Sequence, residues 1–275
     1  MKHSSHGEFL YQIFALIVSI IIVHAVYVTV IRPKADAQLQ AQLDRQAAGE
    51  SYQVQRSAYV LLKDYEQEAC FILMLWAIAI MGYKTNRTVQ ERKVFQQPIL
   101  NIAEGTSVLP EDSRELSRPI QALANNQNEL LVPRAILTAL QRFGSTQNIA
   151  DASKAVKEVC ETESERLDSE LAMVRYISWA IPSIGFIGTV RGIGDALGKA
   201  DEAVKGDIAG VAVSLGVAFN STLIALLISI VIMFFAHQLQ LLQERIVLDT
   251  QNFCDNKLIR HLRVRENLTQ PRVVA

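Results

Sequence analysis

Three cysteines and five histidines are scattered over 275 residues, and neither sign of charge prevails. Cys70, Cys160 and Cys254 lie far apart with no C-x-x-C, which excludes a zinc or redox motif and a disulfide framework. They read as small buried hydrophobes. With 27 basic against 28 acidic residues the net charge is −1, so nothing attracts a polyanion and no nucleic acid is expected as a partner. Thirteen glycines exclude a collagen-like repeat. The histidines stand at 3, 6, 24, 237 and 261, and His3 and His6 read as part of a polar terminus. No nucleophile–base pair is visible, and no enzyme is expected. A stretch from Gly192 to Ala200 resembles a phosphate loop only at a glance. Ile193 stands where its first glycine belongs, and Ala200 replaces the Ser or Thr that must follow Lys199.

Charge itself is scarce, at 20% of residues against 50% hydrophobic, with a mean hydropathy of +0.17. A soluble domain of this length carries more charge, and a disordered chain carries far less apolar residue. The apolar excess sits in four blocks. Leu10 to Ile31 is long enough to span a bilayer, and Ile31-Arg-Pro-Lys34 follows it rather than a signal-peptide cleavage site. Ala69 to Tyr83 is shorter and is bracketed by Glu66, Glu68, Lys84 and Arg87. It reads as a tilted or bilayer-thinning span. Met173 to Leu197 and Ile208 to Ala236 are the third and fourth. The expected class is an all-α integral membrane protein with four transmembrane helices, or three if the second block does not cross, and with long cytoplasmic helical extensions.

Lys84, Arg87, Arg92 and Lys93 cluster after the second block, and Arg245, Lys257, Arg260, Arg263 and Arg265 follow the fourth. Basic residues mark the cytoplasmic side, which places 84–172 and 237–275 inside and the connection 198–207 outside. The expected segments are then 1–31 with the first span, an outer helical stretch 32–68 broken only at Gly49, the second span 69–83, a cytoplasmic helical domain 84–172, a helix pair 173–236 and a helical tail 237–275. Prolines 98, 110, 119 and 133 leave room only for short helices between them. From Thr146 an apolar repeat at three- and four-residue steps runs into the third span with no breaker before Pro182, which predicts one long rod.

Polar residues within spans carry the information. The third span holds Pro182, then Gly185, Gly188 and Gly192 on one broad face, with Thr189 one turn after Gly185. The fourth places Ser214, Ala218, Thr222, Ala225 and Ser229 along one face. Small and hydroxylated stripes suit two ends: tight helix packing, or the lining of an ion path. Arg191 and Asp195 are one turn apart, spaced to neutralise each other as a pair at the mouth.

The run Pro182-x-x-Gly185-x-x-Gly188-Thr189-Val190-x-Gly192 closely resembles the MotA/TolQ/ExbB proton-channel family, and Ala209 to Leu227, with Gly216 and Asn220-Ser221-Thr222, looks like that family's last span. The resemblance covers about 173–236. It implies a homopentamer around a dimer of a single-span partner of MotB, ExbD or TolR type, whose membrane aspartate takes up and releases the ion. It implies a bacterial inner (plasma) membrane and lipid surroundings. No cofactor is implied beyond the transported ion, with proton ahead of sodium. The family's pore threonines map onto Thr189 and Thr222, which puts Ser214, Ala218 and Ser229 on the lumen side. Val217 departs from the pattern, since ExbB and TolQ carry a glutamate there, and Arg191 stands where tryptophan is common. Four spans look more like MotA than the three-span TolQ plan. Flagellar stator, TolQ/ExbB-type energiser and ZorA-type defence stator are all compatible. The rivals outside the family are a non-conducting helical membrane scaffold and a signalling protein working through the 146–172 rod.

Overall fold

The apolar blocks become helices because lipid offers their backbone groups no partner, so each segment must satisfy its own. A computed structural model describes residues 2–47, 57–95, 97, 99–100, 102–103, 106–126, 130–206 and 208–264. The helices are α1 (Lys2–Val26), α2 (Arg32–Ala47), α3 (Ala58–Leu62), α4 (Tyr65–Val94), α5 (Ser113–Asn126), α6 (Leu131–Thr146), α7 (Ile149–Glu170), α8 (Ala172–Gly198), α9 (Ala200–Val204) and α10 (Ala209–Lys257). Among the described residues no strand forms, and Val108 and Leu262 make one isolated bridge. Four helical stretches are long and apolar enough to cross a membrane: Gly7–Ala41, Tyr65–Val94, Ile149–Gly198 and Ala209–His261.

Several helix ends differ from the sequence-based expectation. The first helix does not stop at Ile31. A π-helical turn, Tyr27–Ile31, joins α1 to α2, and the Arg32 N–H donates to Tyr27 O. The wider turn lets the helix continue past Pro33, whose ring and missing N–H would otherwise break it. The second span outlasts its apolar block at both ends. Glu66 and Glu68 sit in the first turn of α4, and Arg92 and Lys93 in its last, each favourable to the helix dipole. The rod expected from Thr146 is interrupted at Leu171, whose N–H bonds back to Asp168 and Ser169. Pro182 lies inside α8 and does not end it. Pro119 likewise lies inside α5 rather than bounding it. Gly49, Arg265 and the side chains of His3 and His6 lie outside the described residues.

The chain divides into two compact units. The first comprises Met1–Tyr83 and Ala172–His237. Here α4 runs antiparallel to α8, with the Cys70 thiol 3.8 Å from Ile181 O. α1 also meets α4: the Trp76 indole donates to Gln12 O at 2.9 Å, and Tyr11 stacks on Tyr83 with centroids 4.7 Å apart. The outward faces are apolar, with Trp179 at 80% exposure and Tyr176, Phe186 and Phe219 close behind. A surface of that kind suits lipid or neighbouring membrane helices.

The second unit comprises Lys84–Leu171 and Gln238–Ala275. It has an ordinary hydrophobic core. Ile120, Ile136, Leu140, Phe143, Val156, Ile246 and Leu258 are almost fully buried in one cluster. α7 starts cleanly because the Asn148 side chain accepts from Ala150 N at 2.9 Å, and α6 ends in left-handed Gln147 at φ 54°. Charges are also buried here. Glu163 is paired with both Arg134 and Arg166, and Lys84 donates to Glu170 at 2.8 Å. Phe143→Ala is expected to cost about 3–5 kcal/mol, as for other large buried side chains. A thermal melt of the full chain in mild detergent would show it as a lowered first transition.

Candidate functional site

The site grows from the contact between α8 and α10. Gly185, Gly188 and Gly192 are buried and face α10 with no side chain between. A Cβ at Gly185 would lie 2.5 Å from the Ala225 Cβ, one at Gly188 2.5 Å from the Ser221 Cβ, and one at Gly192 2.7 Å from Ala218 N. The order 185, 188, 192 meets 225, 221, 218, so the helices run antiparallel. Small residues at three- and four-residue steps on both helices permit this approach.

That proximity brings hydroxyls within reach of the opposite backbone. Thr189 Oγ1 donates to Ala218 O at 3.1 Å and can turn to Gly185 O at 3.3 Å. Thr222 Oγ1 donates to Gly185 O at 3.0 Å, and the two hydroxyls touch each other. Two protons serve four contacts, so the pair has alternative hydrogen-bond patterns that interconvert by hydroxyl rotation. Both threonines are part-buried. Their lone pairs can hold water, a proton relay or a small cation in surroundings otherwise apolar.

The rest of the small stripe on α10 faces α8. Ala218 and Ala225 are fully buried, and Ser214 and Ser229 are each 5% exposed. Ser214 accepts from Lys199 Nζ at 3.0 Å and donates to Gly210 O. Ser229 has a specific partner, donating to Ser178 O at 3.2 Å. Pro182 explains it. A proline has no N–H to give the carbonyl four residues back, and the serine hydroxyl of α10 supplies the missing bond. Ser214, Ala218 and Ser229 are thus buried within the single chain, while Thr189 and Thr222 meet at the centre of the contact.

Among the described residues Arg191 and Asp195 form no salt bridge. Arg191 reaches across to α4, where its Nε and Nη2 fork onto the two carboxylate oxygens of Glu66 at 2.7 and 2.8 Å. Asp195 is exposed. The Glu66 side chain is only 11% exposed, and its Cγ would lie 3.1 Å from a Cβ on Gly188. Glu68, two residues on, is held by His24 at 2.7 Å and by Arg32. Asp64, just ahead of α4, has a carboxyl oxygen with no partner among the described residues. Burial pushes its pKa up, against the pull of Lys63, Arg191 and Arg32. Sequence reasoning treated Glu66 only as a flanking charge. A carboxylate in the first turn of a span is the signal that could have singled it out.

Residues 127–252 match the model of the MotA/TolQ/ExbB proton channel family. That segment is of the MotA/TolQ/ExbB type. It holds the whole α8–α10 contact and both threonines. No curated protein and no solved structure matches the chain. The family is one of membrane channel and energiser proteins, which accords with the four apolar helical stretches.

The glycines make the contact testable. Gly192→Ala is expected to destabilise by about 1–3 kcal/mol, as overpacking does elsewhere, because α10 backbone blocks the new methyl. Gly194→Ala is the control: nothing lies within 4 Å of its Cβ, so it should be neutral or slightly stabilising. Parallel thermal melts of the two variants in detergent would separate them.

Proposed function

We propose that this chain is the channel subunit of an inner-membrane, ion-driven motor. Five copies surround a dimer of a single-span partner of MotB, ExbD or TolR type, and ion flow is converted into mechanical work. The observation that carries the reading is the Thr189–Thr222 hydroxyl pair, set between two glycine-packed antiparallel helices inside the family segment. The partner's membrane aspartate would face that pair. A carboxylate in lipid needs a polar counterpart, and the two hydroxyls supply donors and acceptors at one level. Proton is the favoured ion, and sodium the second. The outward apolar faces of the first unit suit contact with lipid and with further copies. The excess of basic residues in 84–93 and after 236 supports a cytoplasmic position for 84–172 and for the C-terminus.

A second reading has its own observation. Ser214, Ala218, Ala225 and Ser229 are buried against α8, as a non-conducting scaffold would require. The two readings part at the threonines. Valine keeps the shape of threonine and removes the hydroxyl. A scaffold tolerates it, whereas an ion path does not.

Two measurements test the proposal. Native mass of the complex from its own host is expected to give five copies plus two of a single-span protein with a membrane aspartate. The same partner identifies the load: flagellar, outer-membrane or defensive. In vesicles carrying that complex, Thr189→Val and Thr222→Val should each cut ion flux by about tenfold, the equivalent of roughly one lost hydrogen bond at the barrier. Unchanged flux in the double variant would overturn the ion-path reading and favour the scaffold.

A further inference from the structure

We propose that the second unit binds a small phosphomonoester with a polyhydroxylated body, of the sugar-phosphate class. The site is a cleft between the start of α5 and the end of α6. All of its residues belong to the second unit, so it does not depend on the ion-path reading. Its basic residues precede the segment 127–252, and the family match therefore assigns them nothing.

The cleft holds about 690 Å³, a volume typical of small-molecule sites. On the α6 side Gly144 brings no side chain to it. Opposite stands Ser113, whose Cβ and Oγ lie 3.4 and 3.6 Å from where a Cβ on Gly144 would be. Both residues line the cleft. Ser113 is only 4% exposed, and its hydroxyl has no hydrogen-bond partner among the described residues. The neighbouring hydroxyls on the lining are spent. Ser117 donates to Ser113 O at 2.6 Å, and Ser145 donates to Arg142 O at 2.9 Å. A buried hydroxyl left unpaired costs stability, so its retention calls for a reason. A phosphate oxygen entering the cleft would accept its proton.

The charges on the lining fit that anion. Arg114 and Arg118 stand one turn apart on α5, on the same stripe as Gln121, and all three line the cleft. A guanidinium fork matches the oxygens of a phosphate, and two forks match the dianion of a monoester. Glu111 is the acid on the lining, so two guanidiniums face one carboxylate. The rest of the lining selects the body of the ligand. Gln121, Gln141 and Gln147 offer neutral amide donors and acceptors, the complement of hydroxyl groups. Among the described residues no aromatic ring lines the cleft, so a nucleobase would find no stacking surface there. The volume left beyond a phosphate group thus suits a sugar better than a nucleoside.

The test is equilibrium dialysis of the full chain in mild detergent against labelled glucose 6-phosphate, adenosine monophosphate, inorganic phosphate and glucose. Glucose 6-phosphate is expected to bind saturably, with one site per chain and a dissociation constant of about 1 mM or tighter. Inorganic phosphate should bind about tenfold more weakly, since it leaves the glutamine amides unused. Glucose alone should not bind measurably. The double variant Arg114→Gln with Arg118→Gln should lose at least about tenfold in affinity for both phosphate compounds. Ser113→Ala should weaken binding severalfold, yet the melting temperature of its ligand-free form should not fall, because the hydroxyl it removes has no partner to lose. A purely structural serine would show the opposite: unchanged binding and a lower melting temperature. That result would overturn the proposal, as would wild-type affinity in the arginine variant or no saturable binding of glucose 6-phosphate. Tighter binding of adenosine monophosphate than of glucose 6-phosphate would overturn the sugar assignment. If the arginine variant does not melt cooperatively, the two readouts of Ser113→Ala decide.

Discussion

Everything in the membrane unit depends on how closely α8 approaches α10. Three glycines on one helix meet Ala218, Ser221 and Ala225 on the other, with no room for a further methyl. Lipid provides no hydrophobic drive to press two apolar helices together, so packing and interhelical hydrogen bonds must hold them. The contact supplies both. It brings backbone carbonyls near enough for hydroxyls to cross between helices, and Thr189, Thr222 and Ser229 all do so. Remove the close approach and those hydroxyls turn back to their own helices, as Ser178 and Ser221 do with Val174 O and Val217 O.

The polar groups of this unit fall into two kinds. Some repair the backbone: the π turn before Pro33 and the Ser229 hydroxyl on Ser178 O each compensate for a proline inside a helix. Others are not needed for repair. The threonine pair has more contacts than protons, and the Glu66–Arg191 fork ties two helices that packing alone could join. Surplus polarity within an apolar region is costly, and function is its usual reason. The second unit follows different rules. Its core of Phe143, Leu140 and Ile136 excludes water in the ordinary way, and its buried Glu163 is matched by arginines on two helices.

Much of this was legible beforehand. Apolar block length gave four helices that can cross a membrane, and the glycine and threonine spacing pointed to a family that residues 127–252 match. Periodicity also placed the small stripe of α10 on one face. Helix ends were less legible: Pro119 and Pro182 both lie inside helices, and for Pro182 the hydroxyl that replaces the missing bond comes from another helix. The i, i+4 spacing of Arg191 and Asp195 is a local pattern, whereas the bidentate partner of Arg191 lies 125 residues away.

By itself, the sequence determined that this protein is helical, that four of its stretches suit a bilayer, and that one pair of them is built to touch. Those properties are local: they follow from residue size, hydropathy and period along one chain direction. Only the tertiary structure decided what the stripe faces, which carbonyl each hydroxyl meets, and that Glu66 lies over Gly188. Such contacts join residues from separate helices, and no local pattern encodes the distance between them.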